Sequence, residues 1–151
     1  MDIRTKVAAM GLSWPELSVP GGAYASVNIR GKQGFVAIQF PILNGQFMHQ
    51  GKIGLDLETA DACSAMRLCA LNVLAQLAHK PGFEQLLGLN HFDAWYRATD
   101  EWDDMPKVAD AASELFVELL GEKGRHSRAI MGVAHLPREF AVGLCVTFSL
   151  K

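Results

Sequence analysis

The chain has 151 residues, half of them hydrophobic, and a formal net charge of -2 at pH 7. This length suits a single domain, residues 1–151, with one hydrophobic core, and the low charge argues against nucleic-acid binding by bulk electrostatics. No apolar stretch is long enough to span a membrane, no signal-peptide pattern opens the chain, and the three cysteines show no C-x-x-C spacing. We therefore expect a reduced, cytoplasmic protein.

The N-terminal part of the chain predicts a short helix and then a β-hairpin. Two prolines in W-P-E-L-S-V-P end any helix begun over Ile3–Met10. Apolar and polar residues then alternate over Tyr24–Arg30 and again over Phe35–Phe40, after the turn Gly31–Gly34. Strict alternation in the second strand places Gln39 on the face opposite the apolar one.

Two amphipathic helices and a third strand are predicted in the middle of the chain. After a glycine-containing loop, with room for a short strand at Phe47–Gln50, apolar residues recur at helical spacing until Pro81–Gly82. A strand follows over Leu89–Ala98. The second helix runs from about Pro106 and has Gly121 past its end.

The C-terminal stretch predicts a second hairpin. Two apolar runs, Ala129–Ala134 and Ala141–Leu150, flank the polar break His135–Phe140, and such runs bounded by turn residues are typical of paired strands. The last run alternates, so that Val142, Leu144, Val146, Phe148 and Leu150 face one way and Gly143, Cys145, Thr147 and Ser149 face the other.

These elements predict a two-layer α+β domain, with a mixed β-sheet and two helices on one of its faces. Each helix has one apolar stripe, so both are expected on the same side of the sheet. The opposite face carries small and polar side chains beside the apolar Phe35 and Ala37. We expect another subunit to cover this face.

Arg128 is the candidate binding residue that the sequence offers most directly. A guanidinium at a strand end can hold both oxygens of a carboxylate at once. The alternative is that Arg128 is solvated or paired with a neighbouring acid of the same chain, as strand-end arginines usually are.

The C-terminal motif that begins at Arg128, R-A-I-M-G-V-A-H-L-P, resembles the signature of the Rid family, also called the YjgF or endoribonuclease L-PSP family. P-G-G-A-Y at residues 20–24, F-V-A-I-Q-F-P at 35–41 and G-K-I-G-L-D-L at 51–57 are similar to further segments of that family. The resemblance therefore extends over nearly the whole chain. It identifies the chain as a divergent member.

The resemblance implies a chorismate-mutase-like fold, a homotrimer and ligand clefts between subunits. The best-studied members of the Rid family hydrolyse reactive imines and enamines to ammonia and a 2-keto acid, and they need no metal or organic cofactor. By the same resemblance, Arg128 holds the substrate carboxylate, assisted by the backbone at Ile130. Tyr24, Ala37 and Gln39 line the cleft.

The chain departs from the family pattern at the residues that handle water. Ala37 and Ile38 stand where the family has serine and glycine, and Cys145 stands at the position of a water-positioning glutamate. Gly143 replaces a second acid two residues earlier. A thiol hydrogen-bonds weakly and titrates well above a carboxylic acid. The anion-binding half of the site is expected to survive, and imine hydrolysis is expected to be impaired.

Several alternatives stay open at this point. Cys145 is either a small packing residue or a nucleophile with His126 or His135 as its base, and Arg128 could then lower its pKa. The function is either imine deamination or capture of a small carboxylate without turnover. Ribonuclease activity ranks last because the sequence has no basic groove, and the histidines lack metal-ligand spacing.

Overall fold

The structure is a computed structural model that describes all 151 residues. It contains a short first helix, two long helices and seven strands. In chain order the elements are α1 (Ile3–Ala9), β1 (Val27–Arg30), β2 (Gln33–Gln39), β3 (Ile42–Leu43), β4 (Gln46–Phe47), α2 (Thr59–His79), β5 (Leu86–Tyr96), α3 (Met105–Leu120), β6 (Ser127–Gly132) and β7 (Val142–Leu150).

Five strands form one mixed sheet in the order β1-β2-β7-β5-β6, and β3 pairs with β4 separately. The pairs β1–β2, β2–β7 and β7–β5 are antiparallel, and β5–β6 is parallel. Parallel strands need a long crossover, which α3 supplies between β5 and β6. The edge strand β6 therefore lies three places from β2 and directly beside β5, the strand that precedes it in the chain.

The predicted C-terminal hairpin is wrong. β7 inserts between β2 and β5, so both of its hydrogen-bonding edges are already occupied and β6 has no place beside it. The break between the two runs holds a 3-10 turn over Pro137–Glu139, in which Arg138 and Glu139 have positive φ. Turn residues next to two apolar runs indicated that both were strands, but they did not show which strand pairs with which.

The two long helices cover one face of the sheet, as predicted. α2 is buried along most of its length because it packs on β7, β2 and α3 at once. α3 presents a single apolar stripe, and Gly121 ends it with a φ of 64°. The core lies between the layers, with Phe92, Leu144 and Phe148 from the sheet fully buried. The result is the two-layer α+β arrangement.

A β-bulge in β2 changes which way Gln39 points. The register with β7 shifts between Val36 and Gln39, so the alternation expected from the sequence is interrupted there. Gln39 is consequently only 6% exposed and lies against α2, where its Oε1 is 3.5 Å from Gln76 Nε2. The expectation that Gln39 lies on the open face of the sheet is wrong for this reason.

Several strand boundaries differ from the predicted ones by a few residues. β1 begins at Val27, not at Tyr24, and β5 begins at Leu86, not at Leu89. The short strand predicted at Phe47–Gln50 is β4, which ends at Phe47. None of the helices is long and apolar enough to cross a membrane.

Candidate functional site

Arg128 lies on the helix side of the edge strand β6. Its partner in the β5–β6 register is Phe92, which is buried under α3, so the two side chains share that face. Arg128 Nη1 donates to Asp110 Oδ1 at 2.8 Å and to Ser113 Oγ at 3.1 Å, both on α3. The sequence allowed that Arg128 pairs with a neighbouring acid of the same chain, and that acid is Asp110.

A hydrogen-bonded chain behind Arg128 fixes its surroundings. Ser113 Oγ lies 2.8 Å from His126 Nε2, and His126 Nδ1 donates to the carbonyl of Gly124 at 2.6 Å. Burial lowers the pKa of His126, and the Arg128 guanidinium lowers it further, although the bond to Gly124 opposes both. His126 therefore serves as a neutral acceptor for the Ser113 hydroxyl.

The second edge of the Arg128 guanidinium is the part that can take a ligand. Asp110 and Ser113 occupy Nη1, whereas Nη2 has one long contact of 3.5 Å to the carbonyl of Pro106. The side chain is 26% exposed. A guanidinium has five N–H donors in a fixed fork. The edge formed by Nε and Nη2 can therefore still donate two hydrogen bonds to the two oxygens of one carboxylate.

The other residues predicted around Arg128 lie in different places. Ile130 follows it in β6, pairs with Ala94 and packs against the core. Tyr24 is half exposed in the segment before β1, and its hydroxyl accepts from the Gly21 N–H at 3.1 Å. Ala37 lies in the β2 bulge, and its N–H donates to the carbonyl of Ser26. One chain does not bring Tyr24 or Ala37 into contact with Arg128.

Cys145 lies on the open face of the sheet, away from Arg128. Its register partner is Asp93 in β5, and Cys145 Sγ is 4.0 Å from Asp93 Oδ2. Burial, and then the Asp93 carboxylate, raise the pKa of the Cys145 thiol to about 11. A nucleophilic cysteine needs a nearby cation, and this one has an anion beside it.

The space beside Gly143 is filled by apolar side chains. A Cβ placed on Gly143 would meet Ile38 Cδ1 at 2.7 Å and Phe40 Cε1 at 3.0 Å. The side chain of Ile38 thus occupies the space into which a larger residue at position 143 would extend. Ile38 and Gly143 are therefore sterically matched to one another.

The sequence analysis did not single out Asp93, His91 or Ser127, which lie together on the open face. His91 Nε2 is 3.0 Å from Asp93 Oδ1, and His91 Nδ1 is 2.7 Å from Ser127 Oγ. The signal that could have found two of them is the alternation of β5. His91 and Asp93 alternate there with the buried Phe92 and Ala94, so they occupy the other side of the strand.

A cavity of about 730 Å³ lies at the ends of β5 and β6, and none of the predicted site residues lines it. It is lined mainly by Lys52, Tyr96, Thr99, Asp100, Trp102 and Asp103. No group of three or more His, Cys, Asp or Glu side chains is arranged to hold a metal ion.

Comparison with known proteins gives a consistent result. Residues 4–150 match the model of the family described as "YjgF/chorismate mutase-like, putative endoribonuclease". Protein TCP17 of Trypanosoma cruzi is 28% identical over 93% of this chain and 89% of that protein.

Two solved structures share the fold at different distances. A crystal structure from Shewanella oneidensis, described as a "putative endoribonuclease", is 30% identical, covers 99% of this chain and 100% of that one, and has a TM-score of 0.93. E. coli TdcF with bound serine has a TM-score of 0.64 at 18% identity, with 90% of this chain and 93% of that chain covered. The second shows the fold alone.

Proposed function

The chain belongs to the YjgF/chorismate-mutase-like family, and on that premise we propose that it binds a small carboxylate at Arg128. The ligand class is a 2-keto acid or the imino or enamino acid from which a 2-keto acid is released. The observation that carries the proposal is that only one side of the Arg128 guanidinium is engaged by short hydrogen bonds within the chain. Asp110 and Ser113 hold Nη1 in place, and the other edge retains its donors.

The network around Arg128 supports binding because it orients the guanidinium in advance. An arginine that is already immobilised by two hydrogen bonds loses little further side-chain freedom when a ligand arrives. The serine bound to TdcF, a protein with the same fold, also carries an α-carboxylate.

We place the ligand cleft between the subunits of a homotrimer. Nothing in the chain covers the open face of the sheet, and this face exposes Phe35, which is 49% accessible. Tyr24 and Ala37 lie apart from Arg128 within one chain. A neighbouring subunit would cover the open face, including Phe35, and supply the remaining walls of the cleft.

Imine hydrolysis is expected to be weak in this protein. The reaction needs a group that positions water and moves a proton near neutral pH. The Cys145 thiol lies on the other face of the sheet from Arg128, and with a pKa of about 11 it exchanges protons poorly at that pH. Binding without efficient turnover therefore fits the chain better than an active deaminase.

Ammonia release from a freshly generated imino acid tests the binding proposal against the deaminase alternative. We expect the wild type to accelerate release only slightly over the uncatalysed reaction, while crystals soaked with 2-ketobutyrate show its carboxylate on the Nε and Nη2 edge of Arg128. Rapid ammonia release by the wild type would show that the protein is a deaminase and would overturn the proposal of binding without turnover. A soaked ligand bound elsewhere would show that Arg128 is not the anchor.

A further inference from the structure

Hydrogen-bond acceptors of α3 border the free edge of the Arg128 guanidinium. Asp110 Oδ1 lies 2.8 Å from Nη1, and the carbonyl oxygen of Pro106 lies 3.5 Å from Nη2. Nη2 is also one of the two nitrogens that the proposed carboxylate would engage, so a ligand on this edge comes close to the Pro106 carbonyl. The first two turns of α3 therefore influence which group stands next to a bound carboxylate.

The Asp110 carboxylate and the Pro106 carbonyl can both accept a further hydrogen bond. Arg128 engages Oδ1 of Asp110, which leaves Oδ2 outside that bond, and the side chain of Asp110 is 52% exposed. A backbone carbonyl oxygen has two lone pairs, so the Pro106 carbonyl has room for a second donor. A ligand that brings only oxygen acceptors to this place gains nothing from either group, whereas an N–H donor can bond to them.

The charges of the site match those of a zwitterion. Arg128 is positive, and the Asp110 carboxylate beside it is negative, so the pair as a whole carries no net charge. A 2-keto acid adds one negative charge to this pair, and the Asp110 carboxylate repels it. A ligand that has both a carboxylate and a protonated nitrogen adds no net charge and presents a charge of opposite sign to each partner.

We propose that Asp110, together with the Pro106 carbonyl, determines the specificity of the Arg128 site. It favours ligands that carry a protonated nitrogen on the carbon next to the carboxylate. Within the ligand class proposed above, Asp110 thus selects the protonated imino acid over the 2-keto acid. The inference rests on the proposed function, because Arg128 must first hold the carboxylate.

Three small acids that share one carbon skeleton test this specificity in calorimetry. 2-Ketobutyrate, L-2-hydroxybutyrate and L-2-aminobutyrate differ only at the second carbon, and only the last carries a positive charge there. It is the stable probe for an imino acid, which hydrolyses in water. The wild type should bind L-2-aminobutyrate about two- to fivefold more tightly than 2-ketobutyrate, which is the range expected for one exposed ion pair.

The variant Asp110→Asn should change the affinities for the charged and uncharged ligands in opposite directions. The amide keeps an oxygen for Arg128 but has no negative charge, so L-2-aminobutyrate should bind about two- to fivefold more weakly while 2-ketobutyrate binds more tightly. L-2-Hydroxybutyrate controls for the tetrahedral shape of the second carbon, and its affinity should change in the same direction as that of 2-ketobutyrate. Glu118→Gln, which removes an exposed acid farther along α3, should leave all three affinities unchanged.

The outcomes separate this inference from the proposed function. If Asp110 only holds Arg128 in place, Asp110→Asn will weaken the binding of all three ligands, and that result would overturn the inference. Equal wild-type affinities for L-2-aminobutyrate and 2-ketobutyrate, both lost in Arg128→Ala, would overturn the inference and leave the anion site standing. If the wild type binds none of the three ligands, the proposed function is wrong and the inference falls with it.

Discussion

Asp110 sets how much positive charge Arg128 can offer to a ligand. Its carboxylate is 52% exposed and lies 2.8 Å from the guanidinium, so it partly neutralises the group that we propose as the anchor. The pair also holds α3 against the edge strand. The carboxylate of a ligand and the carboxylate of Asp110 thus compete for the charge of Arg128.

The variant Asp110→Asn is therefore expected to bind small carboxylates more tightly than the wild type. The amide oxygen can still accept from Arg128, but the neutralising charge is gone. An exposed ion pair contributes about 0.2–1 kcal/mol, so the affinity for 2-ketobutyrate should rise by up to about fivefold in calorimetry. Glu118→Gln, an exposed acid farther along α3, is the control and should not change it. A weaker affinity in Asp110→Asn would show that Asp110 is needed to hold Arg128, contrary to this prediction.

The Cys145 thiol is expected to react slowly with alkylating agents. Its pKa of about 11 lies above the ordinary value of 9.0 because of burial and the Asp93 carboxylate. The thiolate is the reactive form, so at pH 7 iodoacetamide should modify Cys145 about 10²-fold more slowly than a free cysteine, and the rate should rise as the pH approaches 11. Peptide mass spectrometry over time measures this. Modification within minutes at neutral pH would restore the nucleophile hypothesis for Cys145.

Residue chemistry in the site was only partly predictable from the sequence. The motif that contains Arg128 indicated a guanidinium at a strand end, but it could not show that Asp110 and Ser113, from a helix earlier in the chain, occupy Nη1. Likewise, Cys145 was recognised as a departure from a pattern. Its neighbour Asp93 is defined by cross-strand register, which the sequence does not state.

At the scale of elements, the contact between β2 and β7 depends on the absence of a side chain at Gly34. Gly34 is the register partner of Phe148, and a Cβ at position 34 would lie 2.1 Å from the Phe148 ring. The fully buried ring therefore occupies the space over the glycine. This close approach fixes how two neighbouring strands pack beneath the helices.

Gly34→Ala should consequently destabilise the protein. The added methyl group must displace a buried aromatic ring, and overpacking of this kind typically costs about 1–3 kcal/mol. Chemical denaturation followed by circular dichroism measures the change in the free energy of unfolding. Gln33→Ala, at the adjacent exposed position, is the control. A stability equal to that of the control would mean that Phe148 does not pack over Gly34 in solution.

Elements were easier to predict than their pairing. Helical spacing and the Pro81–Gly82 stop placed α2, and Gly121 marked the end of α3, because caps and periodicity are local properties. The pairing of β6 with β5 is a non-local property of the sheet. The bulge in β2 is a property of its register with β7, so strict alternation failed at Gln39.

At the scale of the whole molecule, the uncovered sheet face predicts assembly. We expect light scattering at micromolar concentration to give three times the chain mass of 16.5 kDa. Phe35→Lys should shift the protein toward monomers, because it replaces an exposed aromatic side chain of the open face with a charge. Val117→Lys, an exposed position on the helix layer, should leave the mass unchanged. If the wild type is a monomer, the proposed ligand cleft between subunits does not exist.

Calorimetric titration of 2-ketobutyrate into wild type, Arg128→Ala and Arg125→Ala tests the central claim, that Arg128 anchors a small carboxylate. Arg125 is the matched control, since it lies three residues earlier, is 69% exposed and pairs with Glu122. Loss of a hydrogen bond to a charged group costs about 1.5–3 kcal/mol, so Arg128→Ala should bind at least about tenfold more weakly, and Arg125→Ala should bind like the wild type. Equal affinity in wild type and Arg128→Ala would contradict the account.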